Sequence, residues 1–259
     1  IVLDVGCRSG LLSYLACEAG AARVYAVGNP TTARYVTKAL AGSEKAEVFL
    51  APRGDISQIR LPCAKVDIIV SEWMGYGLLA DSLYLQVTYA RDKYLVPGGY
   101  IIPSHVSLYI RGICGHPRHV DEENECTVQM VDEYVDASTL MTHKYLLKTV
   151  DLKVVNKDEE FIKTQFKLRT LKSGIVDACL LHMEVASVGV DGTVQKLFSN
   201  SPEKLRTYMK QTVLFLDEDS MEVTERDTLG GRFSLVLSNY APRGVEYSLA
   251  MYKYIPYNL

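Results

Sequence analysis

The sequence of 259 residues has little of what marks several classes of protein. It contains no long run of basic residues, and its formal net charge is −3 with a pI near 6.0. It therefore lacks the concentrated positive charge with which nucleic-acid-binding proteins neutralise phosphates. No apolar stretch approaches the roughly 20 residues that a membrane-spanning helix needs, and no secretory signal is visible. We expect no direct contact with nucleic acid or with a membrane.

The cysteines and histidines form no recognisable framework either. The six cysteines are scattered and include no Cys-x-x-Cys pair; they are Cys7, Cys17, Cys63, Cys114, Cys126 and Cys179. Such cysteines are typical of buried free thiols in a reducing compartment, which predicts a cytoplasmic protein. His116 and His119 offer two zinc ligands, but no cysteine or acid at ligand spacing completes a site. We therefore predict no metal centre.

What the sequence does contain indicates two folded units. It is 48% hydrophobic and 23% charged, and it is long enough for two cores. Apolar strands and amphipathic helices alternate up to Pro103, which favours an α/β domain over residues 1–103. A β-sandwich or β-barrel is predicted over residues 104–259, because the pattern changes there to short alternating strands. The examples are Val106–Ile110, Thr164–Leu168, Ala178–Val188, Thr212–Leu216 and Gly231–Ser238.

The chain opens as a strand, a glycine-rich turn, a helix and a second strand. The first strand ends at Gly6, the turn ends at Gly10, and the predicted helix covers Leu11–Ala19. The second strand is Arg23–Val27, and this order of elements is typical of nucleotide-binding units. The glycines let the backbone approach a ligand closely. Because Ile1 already lies in a strand, we expect that an N-terminal segment is missing.

The most informative stretch follows a short β-branched strand at Val66–Val70. Ligands bind just beyond the carboxyl ends of strands in open α/β sheets, and Glu72 directly follows this strand. Asp81 comes nine positions later on the same glycine-containing loop. Two carboxylates can grip a planar guanidinium from two sides, because its N–H donors form a rigid fork. The alternatives are a surface acid at Glu72 and, at Asp81, an N-cap for a helix predicted over Ser82–Tyr94.

These stretches resemble one known family. Ser-Glu-Trp-Met-Gly-Tyr at 71–76 resembles the double-glutamate loop of protein arginine methyltransferases. Val-Leu-Asp-Val-Gly-Cys-x-x-Gly at 2–10 resembles motif I of S-adenosylmethionine-dependent methyltransferases, and the likeness extends to about Tyr254. The resemblance implies an α/β, Rossmann-like class I S-adenosylmethionine-dependent methyltransferase domain followed by a β-barrel domain.

The resemblance also implies where a cofactor would be contacted. Asp4, Gly6 and Gly10 stand at the cofactor positions of motif I. Asp55 stands where many class I methyltransferases have an acid that accepts from the adenine amino group. The arginine methyltransferases have a glutamate two positions further on, where this chain has Ser57. An ordinary loop acid is the alternative for Asp55.

Four chemical positions depart from the family pattern: Arg8, Gly28, Asp81 and Tyr208. Arg8 replaces a middle glycine and crowds a turn that needs bare backbone. Gly28 replaces the glutamate that takes both ribose hydroxyls, and Asp81 is one methylene shorter than the family's second glutamate. Tyr208 and Met209 replace His and Trp of the Thr-His-Trp loop, and a phenol with a pKa near 10 cannot act as an imidazole. Plain barrel packing is the alternative for both residues.

We therefore predict weak or absent binding of S-adenosylmethionine by this chain. It looks like the inactive partner subunit, or prozyme, of a type I protein arginine methyltransferase of kinetoplastid parasites. The implied partner is an active paralogue in a heterodimer or heterotetramer, which carries the cofactor and methylates Arg-Gly-rich proteins. The alternatives are a divergent but active arginine methyltransferase and a non-enzymatic adaptor for arginine-rich proteins.

The resemblance implies a contact with that partner as well. Members of the family dimerise through a helical arm, and the insertion at about 113–149 looks short and acidic for this purpose. We therefore expect the partner's arm to dock on the helices Leu11–Ala19 and Thr31–Leu40. Tyr14 and Tyr35 are the predicted interface residues, because aromatic side chains are enriched at such contacts. Half-buried helix tyrosines are the alternative.

Overall fold

A computed structural model gives the fold, and it describes residues 1–116, 120–121, 126–127, 130–156, 161–189, 191–216, 220–238 and 243–253. The first part is an α/β unit whose strands are all parallel. Its elements are β1 (Val2–Val5), α1 (Leu11–Glu18), β2 (Val24–Gly28), α2 (Ala33–Ala39), β3 (Ala46–Leu50), β4 (Val66–Val70), α3 (Tyr84–Tyr94) and β5 (Leu95–Ile102). The strand order is β3-β2-β1-β4-β5. The direction of winding reverses between β1 and β4, so the ligand-binding crevice of such sheets lies where these two strands end.

The elements predicted for this unit are confirmed, with shifts at their ends. Strand β4 has the predicted bounds, Val66–Val70. Helix α1 starts at the predicted residue, Leu11, and ends before Gly20, whose φ is +93°. The helix predicted over Thr31–Leu40 is a 3₁₀ turn, Pro30–Thr32, followed by α2. The Asn29 side chain accepts from the Thr31 N–H at 3.1 Å and so caps this turn.

The second part is built from antiparallel strands. They are β6 (His105–Ile113), β7 (Val120–Asp121), β8 (Cys126–Thr127), β9 (Met130–Glu133), β10 (Tyr145–Asp151), β11 (Ile162–Arg169), β12 (Gly174–Val176), β13 (Ala178–Val188), β14 (Val194–Ser199), β15 (Gln211–Phe215), β16 (Met221–Val223), β17 (Thr228–Leu237) and β18 (Val245–Lys253). One sheet has the order β10-β6-β13-β15-β9 with β14 beside β13, and another has the order β11-β17-β18. β12 pairs with β16 and β7 with β8, each as a separate two-stranded sheet. The domain as a whole is a barrel-like antiparallel sandwich.

The five strands predicted for this unit are confirmed as β6, β11, β13, β15 and β17, although the predictions for β15 and β17 run one residue past the observed ends. The predicted insertion at 113–149 needs a correction, because it contains β9 and β10, which belong to the large sheet. Two stretches of it belong to no strand of that sheet: residues 114–129, most of which fall outside the described residues, and residues 134–144, which include a 3₁₀ turn at Ala137–Thr139. In the part of the chain that the structure describes, no helix is long and apolar enough to cross a lipid bilayer.

Hydrogen bonds at Pro103 and between α3 and the segment after β10 hold the junction of the two units. The indole Nε1 of Trp73 donates to the Pro103 carbonyl at 3.1 Å, and the Trp73 side chain is fully buried. Arg91 Nη1 donates to the carbonyls of Leu152 and Val155 at 2.7 and 2.8 Å. These bonds tie α3 to the segment after β10, so the strand ends of the α/β unit face the β unit across a fixed junction.

Candidate functional site

A cavity of about 350 Å³ lies at the carboxyl ends of β1 and β4. The turn between β1 and α1 and the loop after β4 form its α/β side. Leu197, Phe198 and Tyr208 close it from the β unit. The lining includes the predicted residues Asp4 and Glu72, together with both motif I glycines, so the structure brings the main sequence-predicted groups together at the expected edge of the sheet.

Asp4 is the most deeply buried acid of this cavity, with 1% of its surface exposed. Its Oδ2 accepts from the Ser13 hydroxyl at 2.6 Å, which ties β1 to α1. Its Oδ1 has no hydrogen-bond partner among the described residues. Burial raises the pKa of Asp4 to about 6, and the nearby charge of Glu72 adds to this while the Ser13 hydrogen bonds oppose it.

An Asp4→Asn variant is expected to lose part of the pH dependence of folding. The folded state keeps the Asp4 proton up to pH of about 6 and the unfolded chain loses it near 3.9, so stability falls as pH rises between these values. The loss is about 3 kcal/mol at most, and an amide, which keeps an acceptor for Ser13, should remove it. Urea unfolding from pH 4.5 to 7.5 measures the slope. Glu18→Gln, an exposed change on α1, is the control, and equal slopes in all three proteins would contradict the assignment.

The end of β2 is the part of the predicted cofactor site that departs most from its expected chemistry. Gly28 offers no carboxylate, and a Cβ built there would lie 2.8 Å from Cys7 Sγ, closer than real Cβ contacts occur. Cys7 is 97% buried, and its Sγ lies against Gly28. Arg8 is exposed on the turn and lines the cavity, whereas Gly28 does not. The packing of Cys7 against Gly28 was missed by the sequence reasoning.

Asp55 lies outside the cavity lining. Its two oxygens accept from the Ser57 N–H at 3.0 Å and the Gln58 Nε2 at 3.1 Å, which closes the 3₁₀ turn at Ile56–Gln58. The hydrogen bonds from Ser57 come first among the causes that lower the pKa of Asp55 from its ordinary value. Its local role is therefore that of a turn-closing acid, and the adenine contact stays a prediction.

The loop after β4 fixes Glu72 at the wall of the cavity. The Ser71 hydroxyl donates to the Val5 carbonyl at 2.7 Å and joins the ends of β4 and β1. Further on, Gly75 N–H donates to the Leu78 carbonyl at 2.9 Å, so the loop folds back on itself. A Cβ at Gly75 would lie 1.7 Å from the Ala80 carbonyl oxygen, so only glycine fits this turn.

Glu72 and Tyr208 meet in the cavity, and Asp81 does not join them. The Tyr208 hydroxyl donates a hydrogen bond to the Glu72 carboxylate, and both residues line the cavity. Asp81 is exposed, has a φ of +56° and is absent from the lining; its N–H donates to the Arg243 carbonyl at 3.0 Å. Helix α3 starts two residues later than predicted. Its N-cap residue is Leu83, which makes no side-chain capping bond, so the capping alternative for Asp81 is wrong.

The structure separates the two residues of the altered Thr-His-Trp position. Met209 is 95% buried, which agrees with the packing alternative. Tyr208 is 63% exposed over its whole surface while its hydroxyl reaches Glu72, so packing does not describe it. Residue spacing in the sequence carried no signal for this contact, because 136 positions separate the two residues.

The helices α1 and α2 expose an apolar surface beside the cavity. Its large members are Leu11, Leu12, Tyr14, Leu15 and Tyr35. Tyr14 is 46% and Tyr35 52% exposed. Arg34 donates to the Tyr35 hydroxyl at 2.5 Å, and its guanidinium carbon lies 4.6 Å from the ring centroid. We call these five residues the α1–α2 surface.

The histidines considered as zinc ligands are only partly described. His116 Nε2 lies 3.2 Å from the Glu133 carboxylate, and its Nδ1 lies 3.0 Å from the Cys114 carbonyl. His119 lies outside the described residues. Over the described ranges, no group of three or more His, Cys, Asp or Glu side chains is placed to hold a metal ion.

The sheet order, the glycine turn after β1 and the cavity at the strand ends define a class I S-adenosylmethionine-dependent methyltransferase fold followed by a barrel-like antiparallel domain. The family model described as the arginine methyltransferase oligomerization subdomain matches residues 119–254. The chain belongs to the protein arginine methyltransferase family.

Three proteins illustrate the relationship. Protein arginine N-methyltransferase 1.1 of Arabidopsis thaliana is 32% identical over 267 aligned positions, which cover 96% of this chain and 67% of that protein. Protein arginine N-methyltransferase 1 of Dictyostelium discoideum is 31% identical, over 89% of this chain and 71% of that protein. A solved structure of the Trypanosoma brucei PRMT1 enzyme–prozyme heterotetrameric complex with AdoHcy contains a chain 26% identical to this one. The two match with a TM-score of 0.84, over 98% of this chain and 84% of that one.

Proposed function

We propose that this chain is a catalytically inactive, prozyme-type subunit of a type I protein arginine N-methyltransferase complex. Its role is to activate or stabilise a catalytic paralogue that methylates Arg-Gly-rich proteins with S-adenosylmethionine. The observation that carries this proposal is the end of β2, where Gly28 offers no carboxylate at the position of the family's ribose-binding glutamate.

The loss at the ribose side is large enough to matter. Hydrogen bonds to a charged group contribute about 1.5–3 kcal/mol each, so two missing bonds weaken binding by about 10²–10⁴-fold. Arg8 lines the cavity with a positively charged side chain, which would repel the positively charged sulfonium of a cofactor bound there. We therefore assign S-adenosylmethionine to the partner subunit, with weak or no binding here.

The α1–α2 surface supports a partner-binding role. It adjoins the cavity, which Leu11 and Leu12 also line, and it exposes five large apolar side chains on two helices. Exposed apolar side chains that lie together are typical of protein interaction sites. A related solved structure is a heterotetramer of enzyme and prozyme. In the proposed assembly, a heterodimer or heterotetramer in the cytoplasm, the active paralogue contacts this surface through Tyr14 and Tyr35.

A divergent but active enzyme is the second candidate, and one observation favours it. Asp4, Gly6, Gly10 and Glu72 all line one cavity, as they would in a working methyltransferase. Calorimetric titration of the isolated chain with S-adenosylmethionine separates the two candidates, because only the active enzyme needs to bind it. The adaptor alternative, which uses Glu72 to hold arginine-rich proteins, is disfavoured by the Tyr208 contact on Glu72.

The direct test is methyl transfer by the chain alone and with its paralogue. With radiolabelled S-adenosylmethionine and an Arg-Gly-rich protein, we expect no turnover by the chain alone and full turnover by the complex. The control is a complex whose paralogue carries Glu→Gln changes in its own double-glutamate loop, which should be inactive. Turnover by the chain alone within about tenfold of the paralogue would overturn the proposal, as would full activity of the paralogue without this chain.

A further inference from the structure

We infer that Tyr208 is an internal lock on the arginine-binding position of this subunit, because its hydroxyl occupies the carboxylate that would receive a substrate guanidinium. This inference rests on the proposed function. The proposed function was argued from the cofactor side of the cavity, whereas this inference concerns the substrate side. The chain then has two separate blocks, one against each ligand of a methyltransferase.

The first step is the contact itself. Glu72 lies at the cavity wall, and the Tyr208 hydroxyl donates to one of its oxygens. A guanidinium binds a carboxylate best through two parallel N–H···O bonds, which require both oxygens. Asp81 is exposed and absent from the cavity lining, so it supplies no second carboxylate there. An incoming arginine must therefore displace the phenol before it can engage Glu72.

The second step is that the segment carrying Tyr208 is held in place. The Tyr134 hydroxyl donates to the carbonyls of Thr207 and Tyr208 at 3.1 and 3.0 Å. Earlier in the same loop, Glu203 accepts from Arg111 Nη1 at 2.6 Å, and the Arg111 side chain is only 4% exposed. Two independent anchors thus fix the backbone on the N-terminal side of the phenol.

A third anchor lies on the C-terminal side of Tyr208. Gln211 begins β15, and its side-chain oxygen accepts from the Val135 N–H at 2.9 Å. Asn200, at the start of the loop, donates to the Lys210 carbonyl at 2.8 Å and so draws the two ends of the loop together. Because both ends of the loop are fixed, the contact of Tyr208 with Glu72 costs little conformational entropy. A flexible peptide loses more entropy on binding, so it competes less well for Glu72.

The test compares Tyr208→Phe with the unchanged full-length chain in binding a fluorescent Arg-Gly repeat peptide, without cofactor. One hydrogen bond to a charged group corresponds to about 10- to 150-fold in affinity, so we expect the variant to bind the peptide at least about tenfold more tightly. Phenylalanine keeps the ring, and the exposed position of Tyr208 leaves the fold intact. A Lys-Gly repeat peptide should gain much less, because an ammonium lacks the planar fork.

Two matched variants decide the outcome. Tyr208→Phe combined with Glu72→Gln should return to the affinity of the unchanged chain, whereas Tyr252→Phe, at a half-exposed tyrosine of β18, should have no effect. Equal binding by Tyr208→Phe and the unchanged chain overturns the lock, and so does a gain that persists without the Glu72 carboxylate. Failure of the lock is distinguishable from failure of the proposed function, because the proposed function fails by turnover of the chain alone.

Discussion

A triple variant, Gly28→Glu with Arg8→Gly and Cys7→Ala, is expected to bind S-adenosylmethionine about 10²–10⁴-fold more tightly than the unchanged chain. A glutamate at the end of β2 supplies the acceptors that the family resemblance assigns to both ribose hydroxyls. Removal of Arg8 restores a bare turn and takes away a charge that repels the sulfonium. Isothermal titration calorimetry measures the gain directly.

The Cys7 substitution is the step that the structure adds to this design. Because a Cβ at residue 28 would lie 2.8 Å from Cys7 Sγ, Gly28→Glu with Arg8→Gly alone should gain less affinity and unfold at a lower temperature. Cys7→Ala alone is the matched control and should leave affinity unchanged. Micromolar binding by the unchanged chain, or a triple variant no better than it, would show that the cofactor site is not impaired in this way.

The α/β unit was predictable because its local signals agree with one another. A β-branched run such as Val66–Val70 has few alternatives to a buried strand, and the structure gives it the same bounds. Long apolar strands of the β unit, such as Ala178–Val188, were found for the same reason. β14 escaped prediction because four of its six residues are exposed, so its pattern carries no buried face.

The candidate site was predictable only as far as short motifs reach. Glu72 was found because its neighbours form a specific string directly after a strand. Asp81 was expected beside it, but Gly77 and Leu78 have φ values of +52° and +86°, and the loop delivers Asp81 to the surface near Arg243. Such a reversal depends on contacts with a distant part of the chain, which no local pattern records.

The contacts that define the site chemically come from packing between distant segments. Cys7 and Gly28 were each visible in the sequence, and only the structure shows that one fills the space of the other. Tyr208 was recognised as a replacement for a histidine, and its hydrogen bond to Glu72 spans both domains. The sequence therefore predicted which groups differ from the family pattern, while the structure shows how those differences interact.

Tyr14→Ala together with Tyr35→Ala is expected to weaken binding of the active paralogue by about 10³-fold. Aromatic residues at the centre of an interface contribute about 2 kcal/mol or more each when truncated to alanine, and two such losses correspond to about that factor. Both side chains are about half exposed, so the chain should still fold. The dissociation constant of the purified subunits and the methyl-transfer rate of the mixture are the two measurements.

The matched control is Leu50→Ala with Leu85→Ala, two exposed apolar residues of β3 and α3 at 44% and 49% exposure, outside the stretch that matches the oligomerization subdomain. These changes remove similar exposed apolar area away from α1 and α2, so paralogue binding should not change. Loss of binding in the tyrosine variant together with loss of activity places the activating contact on the α1–α2 surface. If the tyrosine variant binds and activates normally, the contact lies elsewhere. If both variants lose binding equally, general surface hydrophobicity rather than this surface drives association.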